Sequence, residues 1–201
     1  MKMHAILLLA SALTVVMLTS CGNQSKDKFK KDSETQVAQI NYEAIGLNIA
    51  NETKVELSKN LMVAIKNYGT IGAIEFCNIK AIPITDSMAN QYNAFIKRVS
   101  DQPRNVDNRA NESELTYISE MKVKMVKGEV LSPKVYELEG KMIGYYPIET
   151  NGMCLQCHGK PNQDILPKTL SKIKELYPND KAIDYTENQL RGIWVVTMDK
   201  K

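Results

Sequence analysis

The chain has 201 residues, with 26 lysines and arginines against 23 aspartates and glutamates, and its formal net charge is +3. So small an excess of positive charge gives no support for nucleic acid binding. The length fits one domain with one hydrophobic core, and the sequence shows no internal repeat and no second domain boundary.

Residues 1–20 are predicted to be a bacterial signal peptide. Lys2 provides a short positive start, and the apolar run at 5–18 is too short to span a membrane. The run ends in LTSCG at 18–22, which resembles the lipobox of bacterial lipoproteins. That resemblance implies cleavage before Cys21, lipid on its sulfur and anchoring in the membrane. The alternative is an ordinary secreted protein whose cleavage site contains cysteine.

These features predict a lipoprotein of the bacterial cell envelope that faces the periplasm. Gly22 follows the lipid cysteine, and the absence of aspartate there favours the outer membrane in a cell that has one. Residues 21–34 are polar and charged, so we expect a flexible tether that carries lipidated Cys21. The ordered domain is expected at 35–201.

Apolar residues recur at helical spacing over residues 35–68. The pattern slips at 51–54, which predicts a kink or a break there, and Gly69 is expected to cap the end. A further helix is predicted at 70–81, stopped by Pro83. Its buried face would carry Cys77.

The rest of the chain alternates between strand and helix patterns. Strands are predicted at 94–99, 134–138, 141–148 and 192–198, with a hairpin turn at Glu139-Gly140 and a polar loop at 100–111. Helices are predicted at 112–127 and 163–176. The elements together predict an α+β fold.

The central motif is Cys-Leu-Gln-Cys-His at 154–158, the attachment signature of a c-type haem. The thiols of Cys154 and Cys157 can each form a thioether to one haem, and the imidazole of His158 can then reach the iron. A zinc site would need a second ligand pair, and a thioredoxin-like pair would need a βαβ context; neither is evident. We therefore predict one covalently attached haem c.

The motif does not decide which residue is the second axial ligand of the iron. His158 is the only histidine that remains once the signal peptide, with His4, is removed. Cys77 has no assigned partner, and three roles are open to it: a small core residue, one half of an intermolecular disulfide, or an iron ligand. Composition alone favours the core residue. The other candidates are methionines, most of them better explained as core residues: Met62, Met88, Met121, Met125, Met142, Met153 and Met198.

From about Leu61 to its end, the chain resembles the Tll-like haem domain family, long catalogued as a domain of unknown function. The matching segments are GAIEFC at 72–77, RVS at 98–100, RN at 104–105, YPI at 146–148, CLQCHG at 154–159, YP at 177–178, DKA at 180–182 and RG at 191–192. The chain departs from the family pattern at Val106, where proline is common.

The resemblance implies a PAS-like antiparallel sheet with long N-terminal helices and a covalently attached haem c. It also implies that Cys77 is the distal iron ligand opposite His158, and it makes Arg98 and Arg104 candidates for binding the haem propionates. For Arg109 and Lys160 we prefer an ordinary solvated surface role.

A thiolate opposite an imidazole favours ferric iron and lowers the reduction potential. We therefore expect a membrane-anchored monohaem cytochrome in low-potential electron transfer or redox sensing. The alternative is a gas or redox sensor that signals through a separate protein, because the chain has no output domain. An enzyme of the peroxidase type is not expected, because no histidine remains to serve as a distal acid–base group. The redox or signalling partner is unknown.

Overall fold

The computed structural model of the protein describes residues 39–201. The predicted signal peptide, the lipidation site at Cys21, the tether at 21–34 and the first residues of the predicted domain lie outside the described residues. None of the helices in residues 39–201 is long and apolar enough to cross a membrane.

Four antiparallel strands form one sheet in the order β1-β4-β3-β2. The strands are β1 (Phe95–Val99), β2 (Lys134–Leu138), β3 (Lys141–Glu149) and β4 (Leu190–Asp199). The tight connection between β2 and β3 has positive φ at Glu139 and Gly140, the geometry that favours a two-residue hairpin. β4, the last strand of the chain, lies in the middle of the sheet between β1 and β3.

The long N-terminal helix α1 (Tyr42–Tyr92) is a hairpin of two helical arms, 42–68 and 70–92, that turn at Gly69. Gly69 has φ +65° and ψ −171°, a backbone conformation that is essentially restricted to glycine. Leu57 on the first arm and Ala81 on the second belong to the same buried cluster, so the arms pack against each other. The prediction that the first helical segment ends at Gly69 is confirmed.

The predicted kink at 51–54 is wrong. Thr53 is fully buried, and its hydroxyl donates a hydrogen bond of 2.8 Å to the carbonyl oxygen of Ile49 one turn earlier. A polar residue therefore occupies an inward position of the helix, which is why the apolar pattern slips although the helix continues.

The predicted stop at Pro83 is also wrong, because the second arm continues through it to Tyr92. Proline removes one hydrogen bond to the carbonyl oxygen of Ile79. Both Pro83 and Ile79 are exposed, so water can satisfy that oxygen. The helix then ends at Asn93, which adopts the left-handed conformation of a C-cap.

Three further α-helices, α2 (Glu112–Val126), α3 (Gly152–His158) and α4 (Pro167–Leu176), and a short 3-10 helix at Val106–Asn108 complete the described fold. The predicted helix at 163–176 begins only at Pro167, because proline at the first helical position suits the start of a helix. Ile165 just before it is fully buried and bridges to Pro161 instead.

The sheet separates two apolar clusters, each built from alternate residues of the strands. One lies between the sheet and α1 and includes Trp194 and Val196 of β4; the other includes Ile193 and Val195 and is shared with α2. This alternation is that of a strand whose two faces are both covered. The prediction of an α+β fold with an antiparallel sheet and long N-terminal helices is confirmed.

Replacing Gly69 by alanine is expected to lower the free energy of unfolding by about 1–3 kcal/mol, the cost of a strained backbone conformation. A Cβ atom at this position would have no atom within 4 Å, so the lost stability would come from the backbone conformation and not from a steric clash. Denaturant unfolding measures it, with Lys66→Ala, an exposed change in the same arm, as the control. Equal stability of Gly69→Ala and wild type would contradict the requirement for glycine at the turn.

Candidate functional site

A cavity of about 260 Å³ lies where α1, the strands β1 and β4, and α3 meet. It brings together every predicted haem-site residue within 39–201: Cys77, Arg98, Arg104, Cys154, Cys157 and His158. These residues come from four separate stretches of sequence. A second, more open cleft at Ala94 and Thr197 contains none of them.

The short helix α3 presents the two motif cysteines to the cavity. The side chain of Asn151 accepts a hydrogen bond of 3.0 Å from the backbone nitrogen of Met153 and so caps the helix at its start. Residues three apart lie on the same side of a helix, and Cys154 and Cys157 therefore both line the cavity. Both are free thiols that are partly accessible.

His158 is the last residue of α3, and its ring is held by one hydrogen bond. The Nδ1 atom lies 2.8 Å from the carbonyl oxygen of Ala182. A carbonyl can only accept, so Nδ1 carries the proton and Nε2 keeps its lone pair. Burial, followed by the charges of Arg104 and Arg191, lowers the pKa of His158 well below its ordinary value. The neutral ring can therefore serve as a metal ligand through Nε2.

The segment after α4 fixes the end of α3 from the other side. The backbone nitrogen of Tyr185 donates to the carbonyl oxygen of His158 at 2.9 Å, and that of Asp184 donates to Gly159 at 3.0 Å. The ring of Tyr185 meets the imidazole edge-on, with 6.4 Å between the ring centres. Main-chain and aromatic contacts thus hold the position of the imidazole.

Cys77 lies on the second arm of α1 and lines the same cavity. It is a free thiol and is half-buried. Burial raises the pKa of Cys77, whereas the nearby charges of Arg98 and Arg104 lower it. A coordinating thiol is deprotonated by the metal ion itself, so a bound iron would overcome this raised pKa.

Most of the methionine candidates, unlike Cys77, do not line the cavity. Of the seven, only Met153 lines the cavity. Met62 is 50% exposed, and Met88 is buried in the cluster between α1 and the sheet. Neither of these two, which flank Cys77 on α1, is placed to reach a group in the cavity.

The guanidinium group of Arg98 is available to a ligand. It stacks over the ring of Trp194 at 5.7 Å from the centroid, and no residue in the described part of the chain pairs with it by a hydrogen bond or an ion pair. Burial lowers the pKa of Arg98 below its ordinary value. An anionic group in the cavity would compensate that charge.

The guanidinium group of Arg104 is bound by the protein through its Nη2 atom. Its Nη2 atom donates to the carbonyl oxygens of Cys157 at 2.6 Å and Ala182 at 3.1 Å, and to Asp180 Oδ2 at 3.1 Å. Its Nε atom is buried without a partner among the described residues. Nη1 makes no hydrogen bond with the described residues either, so Nε and Nη1 are the part of Arg104 left for the predicted propionate contact.

Arg191 is a cavity residue that the sequence analysis did not assign. Its Nη1 atom donates to Ser100 Oγ at 3.0 Å and to the carbonyl oxygen of Gln102 at 3.1 Å. The adjacent Gly192 allows this approach, because a Cβ atom there would lie 2.3 Å from the carbonyl oxygen of Val99. The Arg-Gly pair at 191–192 is one of the segments that match the family, but the resemblance assigns no role to Arg191.

The chemistry of this cavity fits haem. Leu57 and Leu61 line it from the first arm of α1 and give an apolar wall. The cavity is also lined by three guanidinium groups and Lys54 against one carboxylate, Glu149, and of the guanidinium groups only that of Arg104 is paired, with Asp180, so positive charge is in excess. Three N–H donors there are buried without partners among residues 39–201: those of Arg104 Nε, Arg191 Nε and Trp194 Nε1. A flat apolar ring with two carboxylates would match both the apolar wall and this excess charge.

Comparison with known proteins relates this fold to one family. The family model described as Tll0287-like matches residues 18–199, and no curated protein matches the chain. A solved structure described as the crystal structure of the cyanobacterial heme-protein Tll0287 is similar in fold, with a TM-score of 0.58 and 18% sequence identity. The match covers 81% of this chain and 98% of that chain. The chain therefore belongs to the Tll0287-like family.

Proposed function

We propose that the protein is a monohaem c-type cytochrome that works in low-potential electron transfer or redox sensing. The observation that carries this proposal is that one cavity collects a complete Cys-x-x-Cys-His motif, the one remaining cysteine of the described chain and an excess of guanidinium groups. The related cyanobacterial protein is described as a heme-protein, which supports the same cofactor. The cofactor would supply reversible one-electron chemistry at its iron.

In this proposal five residues of the cavity have assigned roles. Cys154 and Cys157 hold the cofactor covalently, and His158 offers Nε2 to the iron. Cys77 would hold the iron as a thiolate, together with His158. Arg98 pairs with a propionate, because its guanidinium group has no other partner in the described part of the chain.

A low potential follows from the proposed ligand pair. A thiolate donates more electron density to iron than a methionine thioether, so it stabilises the ferric state. The chemistry suits an exchange of single electrons with a protein partner rather than turnover of a substrate, and we propose no enzyme activity.

Sensing is the second candidate, and the placement of Cys77 favours it. Cys77 lies on α1 whereas the other proposed attachment points lie on α3. As an iron ligand, Cys77 would connect the cofactor to the longest helix of the described fold, so a change in that contact would be passed to α1. A separate signalling protein would read that change.

We also propose that the protein is a lipoprotein of the cell envelope, anchored through Cys21 and facing the periplasm. The support is the LTSCG segment, together with the need for an exporting pathway that attaches c-type haem. A soluble redox or signalling partner would then bind the domain at the membrane surface, where the tether holds it.

Production with export, lipidation and haem-attachment systems tests these proposals together. Mass spectrometry should show one haem and the acyl chains, and the protein should fractionate with membranes. The ferric protein should be low-spin, with the EPR signature of thiolate ligation. A mature chain without haem would overturn the cytochrome proposal, whereas a soluble chain with haem would overturn only the anchor.

A further inference from the structure

Arg104 and Asp180 form a buried ion pair beside the end of α3. The side chains are 9% and 7% exposed, and the Nη2 and Oδ2 atoms are 3.1 Å apart. The same Nη2 atom donates to the carbonyl oxygen of Cys157, the residue before His158. The pair therefore ties the haem-motif helix to the segment that begins at Asp180.

The carbonyl oxygen of Ala182 connects this pair to His158. It accepts from the imidazole Nδ1 at 2.8 Å and from Arg104 Nη2 at 3.1 Å. Asp180 fixes the same residue from its other side, because its Oδ1 accepts from the backbone nitrogen of Ala182 at 2.8 Å. Both members of the ion pair thus act on the residue that orients the imidazole.

We propose that Arg104 and Asp180 are positioning residues for His158 that set how strongly the imidazole donates to the iron. The proposal rests on the proposed function, in which His158 is an axial ligand. Partners of the second ring nitrogen orient an imidazole ligand and raise its basicity. Here the acceptor is the carbonyl oxygen of Ala182, which also accepts from Arg104. This second hydrogen bond weakens the one that Nδ1 donates.

Two effects of Arg104 act in the same direction. Donation from the guanidinium group draws electron density from the Ala182 carbonyl, so the oxygen accepts less strongly from Nδ1–H and the imidazole donates less to the iron. The positive charge near the iron also disfavours the ferric state. Arg104 therefore raises the reduction potential, and its removal lowers it.

Asp180 has the opposite effect. Its carboxylate compensates the charge of Arg104 at 3.1 Å. Neutralising it leaves the full guanidinium charge near the iron, which favours the ferrous state. The two single substitutions are thus expected to shift the potential in opposite directions.

The test compares Arg104→Gln, Asp180→Asn and the double variant with wild type, all matured with covalent haem. The control is Arg109→Gln, which removes the same charge from an exposed position. The midpoint potential should fall in Arg104→Gln, rise in Asp180→Asn, and stay unchanged in Arg109→Gln; in the double variant it should lie between those of Arg104→Gln and wild type, because the charges balance again but the donation to Ala182 is still lost. Altered g values in the ferric EPR spectrum of Arg104→Gln should report the changed imidazole.

Potentials that shift in the same direction in both single variants, or in neither, would overturn the positioning role, provided that haem is attached and low-spin. A merely structural pair would change the unfolding temperature and leave the potential in place. If Arg104→Gln does not accumulate, Arg104→Lys gives the test: it keeps the charge, so an altered EPR spectrum with a small potential shift is expected, and an unaltered spectrum would overturn the proposal. Wild-type protein without haem would instead overturn the proposed function itself.

Discussion

Replacement of Cys154 and Cys157 together by alanine is expected to abolish covalent haem. Both thiols line the cavity from one face of α3, and the only other cysteine in the described chain lies on α1. Alanine cannot form a thioether, so no attachment point remains on α3. Haem staining of a denaturing gel and the intact mass of the exported protein measure the loss.

Cys77→Ser is the matched control for this double variant. It also removes a thiol from the cavity, yet it should keep the haem stain because both attachment points stay in place. Covalent haem that survives in the double variant would contradict attachment through α3. Loss of the stain in Cys77→Ser would equally contradict the division of roles between the cysteines.

Cys77→Ser is expected to change the electronic state of the iron. The ferric wild-type protein should show the low-spin EPR signature of a thiolate, and the variant should lose it while the haem remains attached. The midpoint potential should rise, because an anionic donor that stabilises ferric iron is removed. EPR spectroscopy and a potentiometric titration of both proteins measure these changes.

The competing interpretation of Cys77 as a core residue predicts another result. Serine would then lower stability modestly and leave the ferric spectrum as it is. An unchanged spectrum would therefore exclude thiolate ligation. Met62→Leu serves as the control for substitutions on α1, because Met62 is half-exposed and does not line the cavity.

Local signals in the sequence were enough to predict most elements of the fold. The turn at Glu139-Gly140 and the break at Gly69 were predicted because each requires a backbone conformation that few residues adopt. The order of strands in the sheet could not be predicted in this way. The order depends on which distant segments pair. β4 pairs with β1 although most of the described residues lie between them in sequence.

The two errors in α1 have a common physical origin. Thr53 satisfies its own hydroxyl inside the helix, and Pro83 lies where its missing hydrogen bond faces water. In both cases tertiary position outweighs the local preference of the residue. Residue type alone does not show which side of a helix will face the core.

The candidate site was predictable where its residues form a motif and not where they act through the backbone. Cys154, Cys157 and His158 follow from spacing, and Cys77 followed from the family resemblance. The carbonyl oxygen of Ala182 could not be found, because any residue has a carbonyl. Arg191 was missed because its place in the cavity depends on the close approach of β4 to β1.

The central place of β4 in the sheet has a consequence for how the protein is made. β1 pairs with β4 alone, and the hairpin of β2 and β3 joins β1 only through β4, so the sheet stays open until β4, which follows residues 154–158 in the chain, is in place. Pairing of such distant segments is slow. A chain that emerges from its N-terminus exposes residues 154–158 while the sheet is still open. An enzyme that acts on this motif would therefore meet an accessible, incompletely folded substrate, and closure of the sheet by β4 would end that period of access.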